Sequence, residues 1–140
     1  MNALFQTQRR VEFRDTDAAG IAHFSVFFNY MEEAEHAFLR ERGLTVFVQD
    51  AEGPLSWPRV SAHCDYIAPV KFEDVLDIAV EIARLGTKSV TYKFTFSAGG
   101  QPIASGLVTS VCCRFDSNGT VRSVPIPAWI RDKLTLPRSS

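Results

Sequence analysis

The chain has 140 residues, 46% of them apolar, and a formal net charge of −1. That length suits one domain around a single core, and the near-neutral charge argues against a disordered tail or a general polyanion binder, nucleic acid included. No stretch reaches the roughly 18 apolar residues of a membrane span and the first ten residues lack a signal peptide's apolar core, so the expected setting is cytoplasmic, with no membrane partner.

Taken in chain order, "LFQTQRRVEF" alternates as a strand. "DTDAAGIA" follows, with the small residues and glycine of a tight loop. Phe24, Phe27, Phe28, Met31, Ala34 and Phe38 then recur at the three- and four-residue spacing of one helix face, with Glu32, Glu33, Arg40 and Glu41 mostly elsewhere. Gly43 stands where a helix takes a left-handed terminator, and Arg40 and Arg42 suit the negative end of the dipole. Beyond residue 55 come the strand-like runs "WPRVSAHCDYIA", "VLDIAVEIARLG", "KSVTYKFTFSA" and "PIASGLVTSVCCRF", separated by "PVKFED", "LGT" and "GGQ" and closed by "DSNG". A short closing helix is expected in "VPIPAWIRDKL", opened by Pro125 and Pro127, with an exposed "PRSS" after it. The layout is α+β: a five-stranded antiparallel sheet that buries one long helix. One helix cannot cover both faces, and two strands keep open edges, so a second copy joined edge to edge is the minimum expectation. Cys64, Cys112 and Cys113 read as reduced, with the adjacent pair pointing to opposite faces of a strand.

Asp15 and Asp17 lie two apart at a strand end and face one side if the backbone stays extended. Just downstream, the helix start offers unpartnered N–H groups and a positive dipole end. One carboxylate can cap the loop while the other is solvated; alternatively, one attacks or acts as general base while the N–H groups hold an oxyanion, as acyl transfer requires. A calcium loop does not fit, because Ala19 occupies its fifth position and Val26 its twelfth. His23 can orient water or a carbonyl, or cap local carbonyls. His36, four residues after Glu32, lacks a third metal ligand, so no metal site is expected. Ser61, His63 and Asp65 alternate along one strand face. Their backbone spacing of about 6.6 Å excludes direct side-chain bonds on this reasoning, leaving His63 to line a polar part of a pocket.

"EFRDTDAAGIAHFSVFFNY" resembles the hot-dog fold acyl-CoA thioesterases, specifically the 4-hydroxybenzoyl-CoA thioesterase family. The likeness rests on Glu12 and Phe13, the run from Asp15 to Gly20, the helix directly after it and the acidic Glu32, with "YIAPVKFEDVL" and "KSVTYKF" matching later strands. It extends over residues 1–140 as one hot-dog domain. It implies a sheet wrapped around the helix, dimers or dimers of dimers, an active site at the dimer interface, and acyl-CoA as substrate with no cofactor besides the coenzyme A it carries. By motif position Asp17 is the catalytic carboxylate, nucleophile or base for water, and the backbone N–H of Phe24 polarises the thioester carbonyl. Gly20 closes the substrate loop and Phe27 stands in the acyl pocket where a tyrosine is common. His23 and Phe24 depart from the family, whose polar side chain sits one residue later. Lys88 is the first choice for a coenzyme A phosphate contact, with Arg84 and Arg59 after it. The rival readings are a hot-dog dehydratase or hydratase, in which a loop histidine and a helix acid share proton transfer, and a non-catalytic acyl-binding protein.

Overall fold

The computed structural model describes residues 5–137. β1 (Phe5–Arg10) leads through a 3-10 turn at Phe13–Asp15 into α1 (Val26–Glu41). There follow β2 (Phe47–Asp50), β3 (Gly53–Ser56), β4 (Arg59–Tyr66), β5 (Val75–Leu85), β6 (Ser89–Ala98), β7 (Gln101–Val111), β8 (Cys113–Phe115), β9 (Val121–Ser123) and α2 (Ala128–Leu134). The main sheet is antiparallel and runs β1-β5-β6-β7-β4, so β1 and β4 are its edges. The β6–β7 hairpin turns on Gly99 and Gly100, both at positive φ (56° and 81°) between the paired Ala98 and Gln101. Two left-handed residues match the twist of the flanking strands, which is why this turn carries a glycine pair.

Alternation along the strands puts Leu76, Ile78 and Val80 of β5, and Val90, Tyr92, Phe94 and Phe96 of β6, on the face that covers α1, all of them buried. The helix answers with Phe27, Tyr30, Met31, Ala34 and Phe38. Aromatic edges interlock across the seam: the Phe27 ring lies 5.3 Å from Phe96, and Phe38 lies 6.0 Å from Tyr92, both near perpendicular. Gly106 of β7 lets the helix come close, because a Cβ there would sit 2.5 Å from the Met31 sulfur.

The helix ends as expected. Leu44 N–H returns to Leu39 C=O at 2.8 Å, and Gly43 N–H returns to Arg40 C=O at 3.0 Å with Gly43 at φ 72°. These are the two bonds of a Schellman terminator. Its start differs from the expected face. Phe24 precedes the helix and is 63% exposed, because Phe28 N–H bonds Ser25 C=O and the helical ladder begins after the turn at residues 23–25.

Two of the expected long runs are also broken. "PIASGLVTSVCCRF" leaves the main sheet at Cys112, whose N–H bonds Lys88 C=O, and β8 enters a second sheet ordered β2-β3-β8-β9. Both adjacent cysteines are buried, where a continuous strand would have pointed them to opposite faces. "WPRVSAHCDYIA" yields β4 from Arg59 onward, preceded by the β2–β3 hairpin that alternation did not reveal. The hairpin is pinned by Arg114, buried on β8, whose two terminal nitrogens reach the Asp50 carboxylate at 2.7 and 2.9 Å. Pro127 caps α2, which buries Ile130 and Leu134. The final three residues of the expected "PRSS" tail lie outside the described residues. Among the described residues no helix is long and apolar enough to cross a membrane.

Candidate active site

The two aspartates separate by environment. Asp15 ends the 3-10 turn and points inward, where its carboxylate accepts from the Glu12 N–H and the Tyr30 hydroxyl, both at 2.9 Å, with the Arg9 guanidinium 3.6 Å away. Burial and that carboxylate together raise the Tyr30 phenol, which stays neutral and donating. Asp15 C=O also accepts from His23 N–H at 2.8 Å, tying the loop to the helix entry. The 3-10 turn thus breaks the extended geometry that would have put both aspartates on one side.

Asp17 begins a tight turn. Gly20 N–H bonds its carbonyl and Ala19 N–H bonds its Oδ1, each at 2.9 Å, the Asx arrangement that lets an aspartate organise its own loop. Gly20 stands at φ 83°, a left-handed position that an L side chain enters only with strain. Among the described residues the second carboxylate oxygen of Asp17 has no hydrogen-bond or ion-pair partner. The turn is anchored because Ile21 and Lys71 form a bridge, and Ala22 N–H bonds Val70 C=O at 2.8 Å.

Asp17 lines a cleft of about 430 Å³ together with Ile21, Ala22, Phe24, Phe27, Tyr66, Ile67, Ala68, Pro69 and Val70, within the roughly 300–1,000 Å³ usual for small-molecule sites. Its walls are mainly apolar. Phe27 packs edge-on to the Tyr66 ring at 5.4 Å. A groove of similar size, about 410 Å³, on the outer sheet face has one carboxylate, Asp77, which already accepts from the Gln8 amide at 2.8 Å.

The helix entry completes the site. His23 C=O accepts from Val26 N–H at 3.0 Å, while Phe24 N–H donates to no described residue. In a trans peptide the N–H points opposite the C=O, so a unit whose carbonyl faces into the first helical turn directs the Phe24 N–H away from the helix. Phe24 C=O is held by the Tyr66 hydroxyl at 2.7 Å. Asp17, which keeps an open carboxylate oxygen, and Phe24, which keeps an unspent amide, thus both line one aromatic cleft.

The other sequence candidates lie elsewhere. The His23 ring turns back on its own turn, with Nδ1 2.8 Å from Ser25 Oγ, and is not part of the cleft wall. His63 is exposed on β4, and its Nε2 approaches Asp65 Oδ1 at 3.1 Å. The backbone-spacing argument thus underrated two long side chains leaning together, yet Ser61 has no described side-chain partner and no triad forms. Arg59 reaches the buried Glu35 at 3.0 Å and lies 3.8 Å from Glu32, so part of its charge is already met within this chain. Lys88 sits in the β5–β6 turn with its amine 3.5 Å from Ser123 Oγ, and Arg84 is exposed near the end of β5. From Val75 to Leu85 is ten strand steps, about 33 Å, so one chain does not bring these cations to Asp17. Tyr66 escaped the sequence reading because a tyrosine at a strand end carries no periodic signal of its bond. Glu35 escaped it because it follows the acidic, exposed Glu32 and Glu33 in a charged run. Among the described residues no three His, Cys, Asp or Glu side chains converge as a metal site.

Comparison with known proteins agrees with this architecture. The family model of the thioesterase-like superfamily matches residues 11–134. A 1,4-dihydroxy-2-naphthoyl-CoA hydrolase of Synechococcus elongatus is 31% identical over 134 residues, 94% of this chain and 96% of that protein. The solved structure of a gentisyl-coenzyme A thioesterase superposes with a TM-score of 0.80 at 33% identity, covering 94% of this chain and all of the other. A 4-hydroxybenzoyl-CoA thioesterase shares the fold at a TM-score of 0.80 and 20% identity, over 94% of this chain and 98% of its own. The chain belongs to the thioesterase-like superfamily and is a thioester hydrolase of the hot-dog fold.

Proposed function

We propose that the chain hydrolyses acyl-CoA thioesters with an aromatic acyl group, using Asp17 as the attacking or water-activating carboxylate and the Phe24 N–H as oxyanion donor. The observation that carries this is the free Asp17 oxygen and the unspent Phe24 N–H at one cleft walled by Phe24, Phe27 and Tyr66. The aromatic acyl class draws on the relatives' naphthoyl and gentisyl substrates and on those walls. In one route the carboxylate oxygen adds to the thioester carbon, the C–S bond breaks, coenzyme A leaves as thiolate, and water cleaves the resulting anhydride. In the other, Asp17 takes a proton from water as that water adds to the thioester carbon, and the tetrahedral adduct then collapses with C–S cleavage, coenzyme A leaving as thiolate. In both, negative charge gathers on the carbonyl oxygen, where an oriented amide donor lowers the barrier most. His23, turned to Ser25, favours this reading over a dehydratase that needs a loop histidine at the substrate.

The working form we propose is a dimer paired through β4. The register Arg59↔Ser110 on β4–β7 and Val90↔Ser110 on β6–β7 puts the Arg59 end of β4 at the Lys88 end of the sheet. Antiparallel pairing of two β4 edges then brings one copy's Lys88 end toward the other's Asp17 loop, which a coenzyme A spanning both requires. A panel of aromatic and aliphatic acyl-CoAs assayed for thiol release tests the substrate class. Fastest turnover is expected on arenecarboxyl thioesters; absence of thiol release from every member, or hydration of enoyl-CoA in its place, contradicts it.

A further inference from the structure

The Phe24 carbonyl is held by a residue from a distant strand. Phe24 C=O would serve Phe28 N–H if the helix began one residue earlier; Phe28 N–H bonds Ser25 C=O instead, at 3.2 Å. The Phe24 carbonyl is left outside the ladder, and the acceptor need is met by the Tyr66 hydroxyl, 42 residues along the chain. The preceding peptide is fixed on its other side, since His23 N–H bonds Asp15 C=O and His23 C=O receives Val26 N–H. Phe24 is thus clamped before and after its α-carbon while its own N–H makes no bond to a described residue. Without the Tyr66 bond the Phe24–Ser25 peptide keeps, among the described residues, just the longer bond from Ser25 N–H to His23 Nδ1 at 3.3 Å, so the Phe24 ψ angle is less restrained.

We propose that Tyr66 is a positioning residue for the hydrolysis: its hydroxyl holds the Phe24 carbonyl so that the Phe24 N–H is preset for the oxyanion. This rests on the reading of Phe24 as donor given above. Tyr66 also walls the cleft through its ring, packed on Phe27, and the two roles separate by substitution, because phenylalanine keeps the ring and deletes only the hydroxyl. Displacement of a preorganised donor by a fraction of an ångström weakens transition-state binding more than substrate binding.

The test is Tyr66→Phe assayed on the best arenecarboxyl-CoA. A tenfold to hundredfold fall in kcat is expected, with KM within about twofold and the melting temperature nearly unchanged. Substrate affinity measured in Asp17→Asn and in Asp17→Asn/Tyr66→Phe should agree, since the hydroxyl acts in the transition state. A second variant keeps fold and shape: a polyfluorinated tyrosine at position 66, whose phenol ionises near neutral pH. Its phenolate cannot donate, so kcat should fall as that phenol ionises. The wild-type pH profile is the reference for the other titratable groups around it: Asp17 in the cleft, Cys64 and Asp65 beside it on β4, and His23 next to Phe24. Wild-type kcat in Tyr66→Phe, a change in KM alone, or a fluorotyrosine profile that matches wild type overturns the proposal. Asp17→Asn run in parallel separates the two readings. Full activity there overturns the site and this proposal together, whereas an inactive Asp17→Asn beside a fully active Tyr66→Phe overturns the role of Tyr66 alone.

Discussion

Two carboxylates two residues apart stand in opposite environments, one enclosed by donors and the other with an oxygen open. Asp15 accepts from a backbone amide and a phenol beside a guanidinium, a buried network in which loss of the charge leaves donors mismatched. Asp15→Asn should therefore cost about 2 kcal/mol in chemical denaturation and lower activity through the loop it anchors. Glu35 offers a test at the same scale. Burial, with Glu32 adding to it, pushes its carboxyl up to about 7 despite the Arg59 partner. A folded-state value above the unfolded one means the native state holds the proton more tightly. This stabilisation is fully present below about pH 4.5 and is lost as pH rises through about 7. The wild type should lose up to about 3 kcal/mol between those limits from this group, and Glu35→Gln should flatten that slope in melts run from pH 5 to 8. An unchanged slope would show that Glu35 does not carry it.

At the scale of elements, the parts of the fold set by short-range rules were legible. The 3.6-residue spacing of Phe27, Met31, Ala34 and Phe38 marked α1, Gly43 marked its end, and the glycine pair marked the β6–β7 hairpin. What local pattern missed depends on contacts far along the chain. The run through Cys112 and Cys113 is uniform in propensity, and nothing within it says that one half joins a second sheet. That division is made by Arg114 reaching Asp50, 64 residues away. The helix start slipped past Phe24 for the same reason, since Asp15 and Tyr66 hold the turn from outside the helix. The close approach of α1 to β7 gives a further prediction. Gly106→Ala sets a methyl against the Met31 thioether and 3.2 Å from His63 C=O, so Met31 must repack within the core. A loss of about 1–2 kcal/mol is expected, readable as a lowered denaturation midpoint with an unchanged slope.

For the whole molecule, the candidate site was legible where it is contiguous and illegible where it is assembled. Asp17, Gly20 and Phe24 fall within eight residues and could be read from one loop, and the family likeness drew attention to them. Tyr66, Ile67 and Val70 arrive from the end of β4 and the segment that follows it and had no local mark. The cations picked for coenzyme A lie at the far end of β5, so a working site of the proposed kind needs the second copy that the open β4 edge invites. Sedimentation velocity should give a dimer or larger at micromolar concentration, and a fully active monomer would contradict that assembly. The most direct measurement of the central claim is thiol release by Asp17→Asn on the substrate that the wild type turns over fastest. The exchange removes the charge and keeps the shape, so turnover should fall by about 10²–10⁴ while substrate binding and the melting temperature stay near wild type. Wild-type turnover in that variant would show that the open carboxylate at residue 17 does not drive the hydrolysis.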